Sequence, residues 1–243
     1  MSRPRRETYP AARSIRSALV LAALTSALIL PLGAQDKPKP KAPEPTVPEI
    51  FTLMGQFVRV AYNNEGYVTL GYRTANASVG NEWMLLEVGL TVREGTDAEV
   101  LKREAFSLET PDGKTLPLAT QQEYRAGELR GLQTLANHSR DTISYFPGGV
   151  SRRCAISFFS DPDKKNLTYD QVELNSQGGC LGRLYFHVPG GIKTGQHWLK
   201  VKFAAGEVHV PFRILTKEEE KEFRKTWEDL KEEHDASMKT KKK

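Results

Sequence analysis

From Ile50 onward, hydrophobic and polar residues alternate in short runs separated by turn residues. This is the period-2 signature of half-buried strands. Runs 57–62 and 67–72 flank Asn63-Asn64-Glu65-Gly66, a natural turn. The stretch 83–92 is the most apolar and predicts a central strand. Phe106, Leu108 and Thr110 lead into Pro111-Asp112-Gly113-Lys114, followed by Leu116 and Leu118. Asp-Gly between alternating runs predicts a hairpin. Further strands are expected at 154–159, 169–174, 183–188, 196–203 and 207–215.

In the last three runs the alternation assigns faces. Leu184, Phe186 and Val188 share one face, opposite Arg183, Tyr185 and His187. His197, Leu199, Val201 and Phe203 share another, opposite Gln196, Trp198, Lys200 and Lys202. Val208, Val210, Phe212 and Ile214 point inward. Opposed residues of a pair must share a face. Val201 therefore opposes Val208 or Val210, which requires a final loop of two or four residues.

Two segments follow a helical period instead. Leu129, Leu132 and Leu135 predict a short helix over 127–137, inserted between strands and weakened by Gly127 and Gly131. The tail reads as a helix over 216–236, opened by a Thr216/Glu219 capping box and striped by Phe223, Trp227 and Leu230. Residues 237–243 are basic and expected to be disordered. Many short strands with one polar face argue an antiparallel β-sandwich, mainly β in class.

Ahead of the body, arginines precede an apolar run from Ala18 to Leu30, with Gly33 and Ala34 behind it. The run is shorter than the roughly 20 residues a membrane span needs. Residues 1–34 therefore read as a signal peptide cut after Ala34, with an uncleaved anchor as the alternative. No membrane span is expected after cleavage. Residues 35–49 carry five prolines and form an extended spacer. About 165 residues remain, enough for one sandwich domain over 50–215 plus its tail. The net charge of +5 is concentrated in the signal, where Arg3, Arg5, Arg6, Arg13 and Arg16 face only Glu7. A nucleic-acid partner needs a persistent basic face, so none is expected.

Segments Phe106-Ser107-Leu108-Glu109-Thr110-Pro111-Asp112-Gly113-Lys114 and Gly182-Arg183-Leu184-Tyr185-Phe186-His187-Val188-Pro189, with the closing strand pair, resemble a known family. It is the telokin-like, immunoglobulin-type domain of unknown function found in bacterial exported proteins. The resemblance spans about residues 83–215 and implies an immunoglobulin-like sandwich in the periplasm or outside the cell. The leucine-rich insertion, the cysteine pair and the charged tail depart from that pattern.

Cys154 and Cys180 are the only cysteines, and in an oxidising compartment they are expected to pair. The histidines lack zinc-ligand spacing, Gly-x-Ser-x-Gly and phosphate loops are absent, and no cofactor is expected. Asp161, Asp163 and Asn166 read as a solvated turn rather than a calcium loop. Tyr185, His187, Trp198 and Lys200 are expected to share the polar face of adjacent strands and to form a recognition surface. The tail stripe either covers that face, the favoured reading, or reaches a protein partner. Together these features imply an exported, non-catalytic binding or accessory module. An enzyme assembled from distant residues and a purely structural envelope component are the alternatives.

Overall fold

The computed structural model describes residues 56–160 and 167–240, with side chains described as far as Asp229. The expected signal, the spacer, the start of the body, the Asp161–Asn166 turn, the Leu230 side chain and the last three lysines lie outside the described residues.

Strands β1 (Val58–Tyr62), β2 (Gly66–Gly71), β3 (Trp83–Val92), β9 (Gly178–His187) and β7 (Arg152–Ile156) form a five-stranded sheet in that order. Strands β11 (Glu207–Ile214), β10 (Gly195–Lys202), β5 (Phe106–Glu109) and β6 (Thr115–Pro117) form a second sheet. A small third sheet pairs β4 (Glu99–Lys102) with β8 (Gln171–Leu174). A short helix α1 (Arg73–Asn76) follows β2.

One core joins the two large sheets. Met84, Leu86, Val88, Leu184 and Phe186 of the first pack with Phe106, Leu108, Leu199, Val201, Val210 and Phe212 of the second. The protein is thus mainly β, consistent with the expected sandwich. The pairing is antiparallel with one correction: β7 runs parallel to β9. Period-2 alternation is blind to strand direction, so the sequence held no sign of it.

The last hairpin adopts one of the two registers that parity allows. Val201 opposes Val208 and Lys202 opposes Glu207, leaving the four-residue loop Phe203–Gly206. The disulfide Cys154–Cys180 joins directly paired residues of β7 and β9.

The long apolar run of β3 has a reason. Its inner face meets the main core, and its outer face is also covered. Leu85 packs under two helices, α2 (Gln121–Ala126) and α3 (Arg130–His138). The inserted helical segment is therefore two helices rather than one over 127–137. The first has its own capping box, Thr120 with Glu123, which marks its start in the sequence.

Candidate functional site

The four residues expected to share one face do not meet. Tyr185 and His187 lie on the outer side of the five-stranded sheet, whereas Trp198 and Lys200 lie on the outer side of the other. The faces along each strand were assigned correctly, but strands β9 and β10 belong to different sheets. The connection between them turns at Gly190 (φ +83°) and Gly191 (φ +86°) and crosses from one layer to the other. Alternation gives a residue's side of its strand, not the sheet that strand joins.

Tyr185 is buried, 3% exposed, against Tyr124 (4.8 Å between ring centroids) and Phe159 (5.0 Å). His187 lies tilted against Trp83, with ring centroids 5.2 Å apart. Lys200 pairs with Glu109 at 2.6 Å, and Trp198 sits between Glu109 and Pro211 on neighbouring strands.

A polar cluster lies beneath α3. Glu87 of β3 is 4% exposed and accepts from Arg183 Nε and Nη2, both at 3.3 Å. Arg140 Nε stands 3.2 Å from the same carboxylate. Arg183 Nη2 also donates to Asn137 Oδ1 at 2.9 Å. Burial raises the Glu87 carboxyl above its ordinary range, and the two guanidiniums only partly offset this. A groove of about 560 Å³ opens here, bordered by Tyr124, Gln133, Asn137, Arg140, Arg183 and Tyr185. Its polar atoms engage one another: Gln133 donates to the Tyr124 hydroxyl at 2.6 Å. Such a mutually satisfied network clamps the helices onto the sheet.

The tail helix α4 (Lys217–Thr240) starts at the expected capping box. Glu219 N donates to Thr216 Oγ1 at 3.1 Å, and Thr216 N donates to Glu219 Oε2 at 2.9 Å. The helix runs through Thr240, beyond the expected end at 236.

Its dock differs from the expected one. Leu215 N donates to Asn76 Oδ1 (2.8 Å), Asn76 Nδ2 donates to Glu220 Oε2 (3.4 Å), and Phe223 meets Phe57 at 6.2 Å. The helix therefore seats beside α1 and the start of β1. Tyr185 is covered by α2 and α3 instead. Among the described residues, hydrogen bonds from Arg224 onward stay within the helix. Trp227 is half-buried while Arg224, Lys225, Thr226, Glu228 and Asp229 are exposed.

A smaller cavity, about 120 Å³, lies where the Thr110–Lys114 turn meets the connection after Val188. Pro111, Leu116, Val188 and Pro189 give apolar walls, and His197 lines the interior.

The His197 ring is fully buried and stacks on Phe212 at 5.3 Å. Its Nδ1 lies 3.0 Å from the Gly195 carbonyl, which can only accept. Nδ1 therefore carries the proton and Nε2 holds a lone pair. Nε2 is buried without a hydrogen-bond partner.

At the rim, Asp112 receives a 2.6 Å bond from the Thr110 hydroxyl and pairs with Lys114 (3.1 Å) and Lys193 (3.3 Å). The Thr110 bond first, and then Lys114, hold its carboxyl far below the usual range. His197 shares the buried face of β10 with Leu199 and Val201, as the alternation assigns. An inward histidine in an otherwise apolar stripe was the available signal.

No family model matches the chain, and no curated protein or solved structure matches it either.

Proposed function

We propose that the chain is an exported, non-catalytic binding module of the bacterial envelope or secreted space. It acts through contact with another protein, and α4 is the contact element. The observation that carries this reading is the helix's attachment. A rod of 24 residues, about 36 Å long by its rise per residue, is tied down near its start by Asn76 and Phe57. The next two turns carry half-buried Trp227, flanked by the exposed charges of Arg224, Lys225, Glu228 and Asp229. A large aromatic among charges is the composition of an interface anchor.

Export is supported by the signal-like N-terminus and by compatibility of the Cys154–Cys180 disulfide with an oxidising compartment. The paired large sheets and the resemblance of 83–215 support an immunoglobulin-type domain as the scaffold. The rigid sheets hold the helix base, and the helix carries the recognition.

Crosslinking in the intact envelope, with the crosslinked peptides identified, tests the proposal. Crosslinks to one reproducible partner should fall on Lys221 and Lys225 and disappear in Trp227→Ala. Crosslinks confined to the sandwich, or unchanged by the substitution, would refute the assignment to α4.

A further inference from the structure

The groove beneath α3 keeps donors that its internal network does not spend. Arg140, just after the helix, uses Nε on the buried Glu87 carboxylate at 3.2 Å, and its side chain is 59% exposed. Its two terminal nitrogens have no partner among the described residues. Asn137 Oδ1 accepts from Arg183 Nη2 at 2.9 Å, which leaves the Asn137 amide nitrogen without a partner among the described residues. Both side chains border the groove.

These donors are oriented as well as present. A guanidinium is planar, so fixing Nε on Glu87 fixes the plane in which Nη1 and Nη2 lie. Glu87 is 4% exposed and takes Arg183 on the same oxygen, so the anchor of that plane is itself held. Two guanidiniums against one carboxylate leave the cluster with excess positive charge. The next acid along the chain, Asp141, is already taken by two nitrogens of Arg73 at 2.8 and 2.9 Å. A cationic fork of two N–H groups matches a carboxylate, which accepts both in parallel.

The remaining lining describes what that carboxylate is attached to. Ala155 and Leu181 are directly paired on β7 and β9, and Arg183 lies two residues on from Leu181. All three therefore project from the same outer face of the sheet. Ala155 is exposed, Leu181 and Phe159 are half-buried, and each borders the groove. Apolar surface thus lies alongside an amide donor and a cationic fork. A peptide end has the matching parts: a carboxylate, a backbone carbonyl and a side chain. The groove of about 560 Å³ has the size of a drug-sized ligand site, room for about three residues.

We propose that this groove captures the C-terminus of a peptide, with its carboxylate on the Arg140 fork, its last peptide carbonyl at the Asn137 amide and an apolar last side chain over Ala155 and Leu181. The groove uses no residue of α4, so the proposal stands or falls independently of the helix contact.

The probe is the capped tripeptide N-acetyl-alanyl-alanyl-leucine as its free acid, with its C-terminal amide and hexanoate as comparators. Each is titrated calorimetrically into the mature chain. Both comparators should bind at least about tenfold more weakly, the amide for want of the charge and hexanoate for want of peptide groups.

Arg140→Gln should bring the acid and the amide to the same affinity, with the melting temperature within a few degrees of wild type. Ala155→Asp places a carboxylate in the groove without touching the Glu87 cluster. It should weaken the acid about tenfold, and it keeps the test decisive if Arg140→Gln unsettles the fold. No binding of the acid at millimolar probe, or equal affinity for acid and amide, would overturn the site. An acid preference that survives Arg140→Gln, or an affinity indifferent to Ala155→Asp, would do the same. Hexanoate binding as tightly as the peptide acid would overturn the assignment to a peptide.

Discussion

Phe223, in the second turn of the tail helix, meets Phe57 at the entrance to the first strand, with ring centroids 6.2 Å apart and planes tilted by 60°. Phe57 is itself buried, packing edge-on against Tyr72 at 5.4 Å and lying beneath the Arg73 guanidinium at 4.7 Å. The helix thus begins on an ordered platform of the body. Phe223→Ala should cost about 1 kcal/mol of stability, as expected for losing one half-buried aromatic contact. Trp227→Ala should cost less than Phe223→Ala, since its proposed main contact is outside the domain. Urea denaturation of both variants checks this; equal losses would mean that the helix is held along its length.

Gly66 opens β2 where the Phe203 ring comes down from the loop of the last hairpin. A Cβ at Gly66 would overlap the tip of the Phe203 ring. Phe203 is 2% exposed and has little room to yield. Gly66→Ala should therefore destabilise by about 1–3 kcal/mol through overpacking. An unchanged urea midpoint would show that the loop repacks freely.

Loss of the disulfide should be felt by the whole fold. Cys154 and Cys180 are 26 residues apart in sequence and directly paired on β7 and β9. Replacing both by alanine should cost about 3 kcal/mol in the chain-entropy view. A reductant should bring the wild type to the same stability and leave the double variant unaffected. A reductant that further weakens the double variant would contradict this.

His197 should make stability depend on pH. Burial lowers its pKa below the ordinary 6.5, outweighing the Gly195 carbonyl and Asp112. The fold holds the ring neutral, so below pH about 6.5 the unfolded chain binds a proton that the folded chain does not. Stability from this group is full above that value and falls as pH drops, by at most about 1.4 kcal/mol per unit. Glu87 acts with the opposite sign. Its raised pKa means that the folded state binds the extra proton as pH falls through the carboxylate range. Comparing wild type with His197→Phe from pH 7.5 to pH 5 isolates the histidine. The variant should be more stable by about 1 kcal/mol at neutral pH, since the orphaned Nε2 is gone, and should lose less on acidification. Parallel curves would contradict the neutral, Nδ1-protonated ring.

Local rules carried much of the fold. Parity narrowed the partner of Val201 to Val208 or Val210, of which the fold uses Val208; Asp112-Gly113 marked the β5–β6 hairpin, and Thr216 with Glu219 marked the helix start. These features depend on neighbours in sequence. What failed depended on distant partners. Tyr185 and Trp198 sit on well-assigned faces, but only the crossing of the β9–β10 connection between layers decides that they lie on opposite sides. The parallel pairing of β7 has the same origin. The His197 cavity is assembled from Thr110–Lys114, Val188–Lys193 and the start of β10. No short motif announces a site made by three chain segments meeting at the end of two sheets.

The central claim is that α4 recognises a protein partner rather than completing its own domain. The most direct measurement compares the full mature chain with one ending at Thr216, in thermal unfolding and in partner capture from the crosslinked envelope. The expected result is a shortened protein that still unfolds cooperatively, within a few degrees of the full chain, and no longer retains the partner that the full chain retains. Capture that survives removal of the helix, or a shortened protein that no longer folds, would contradict the claim.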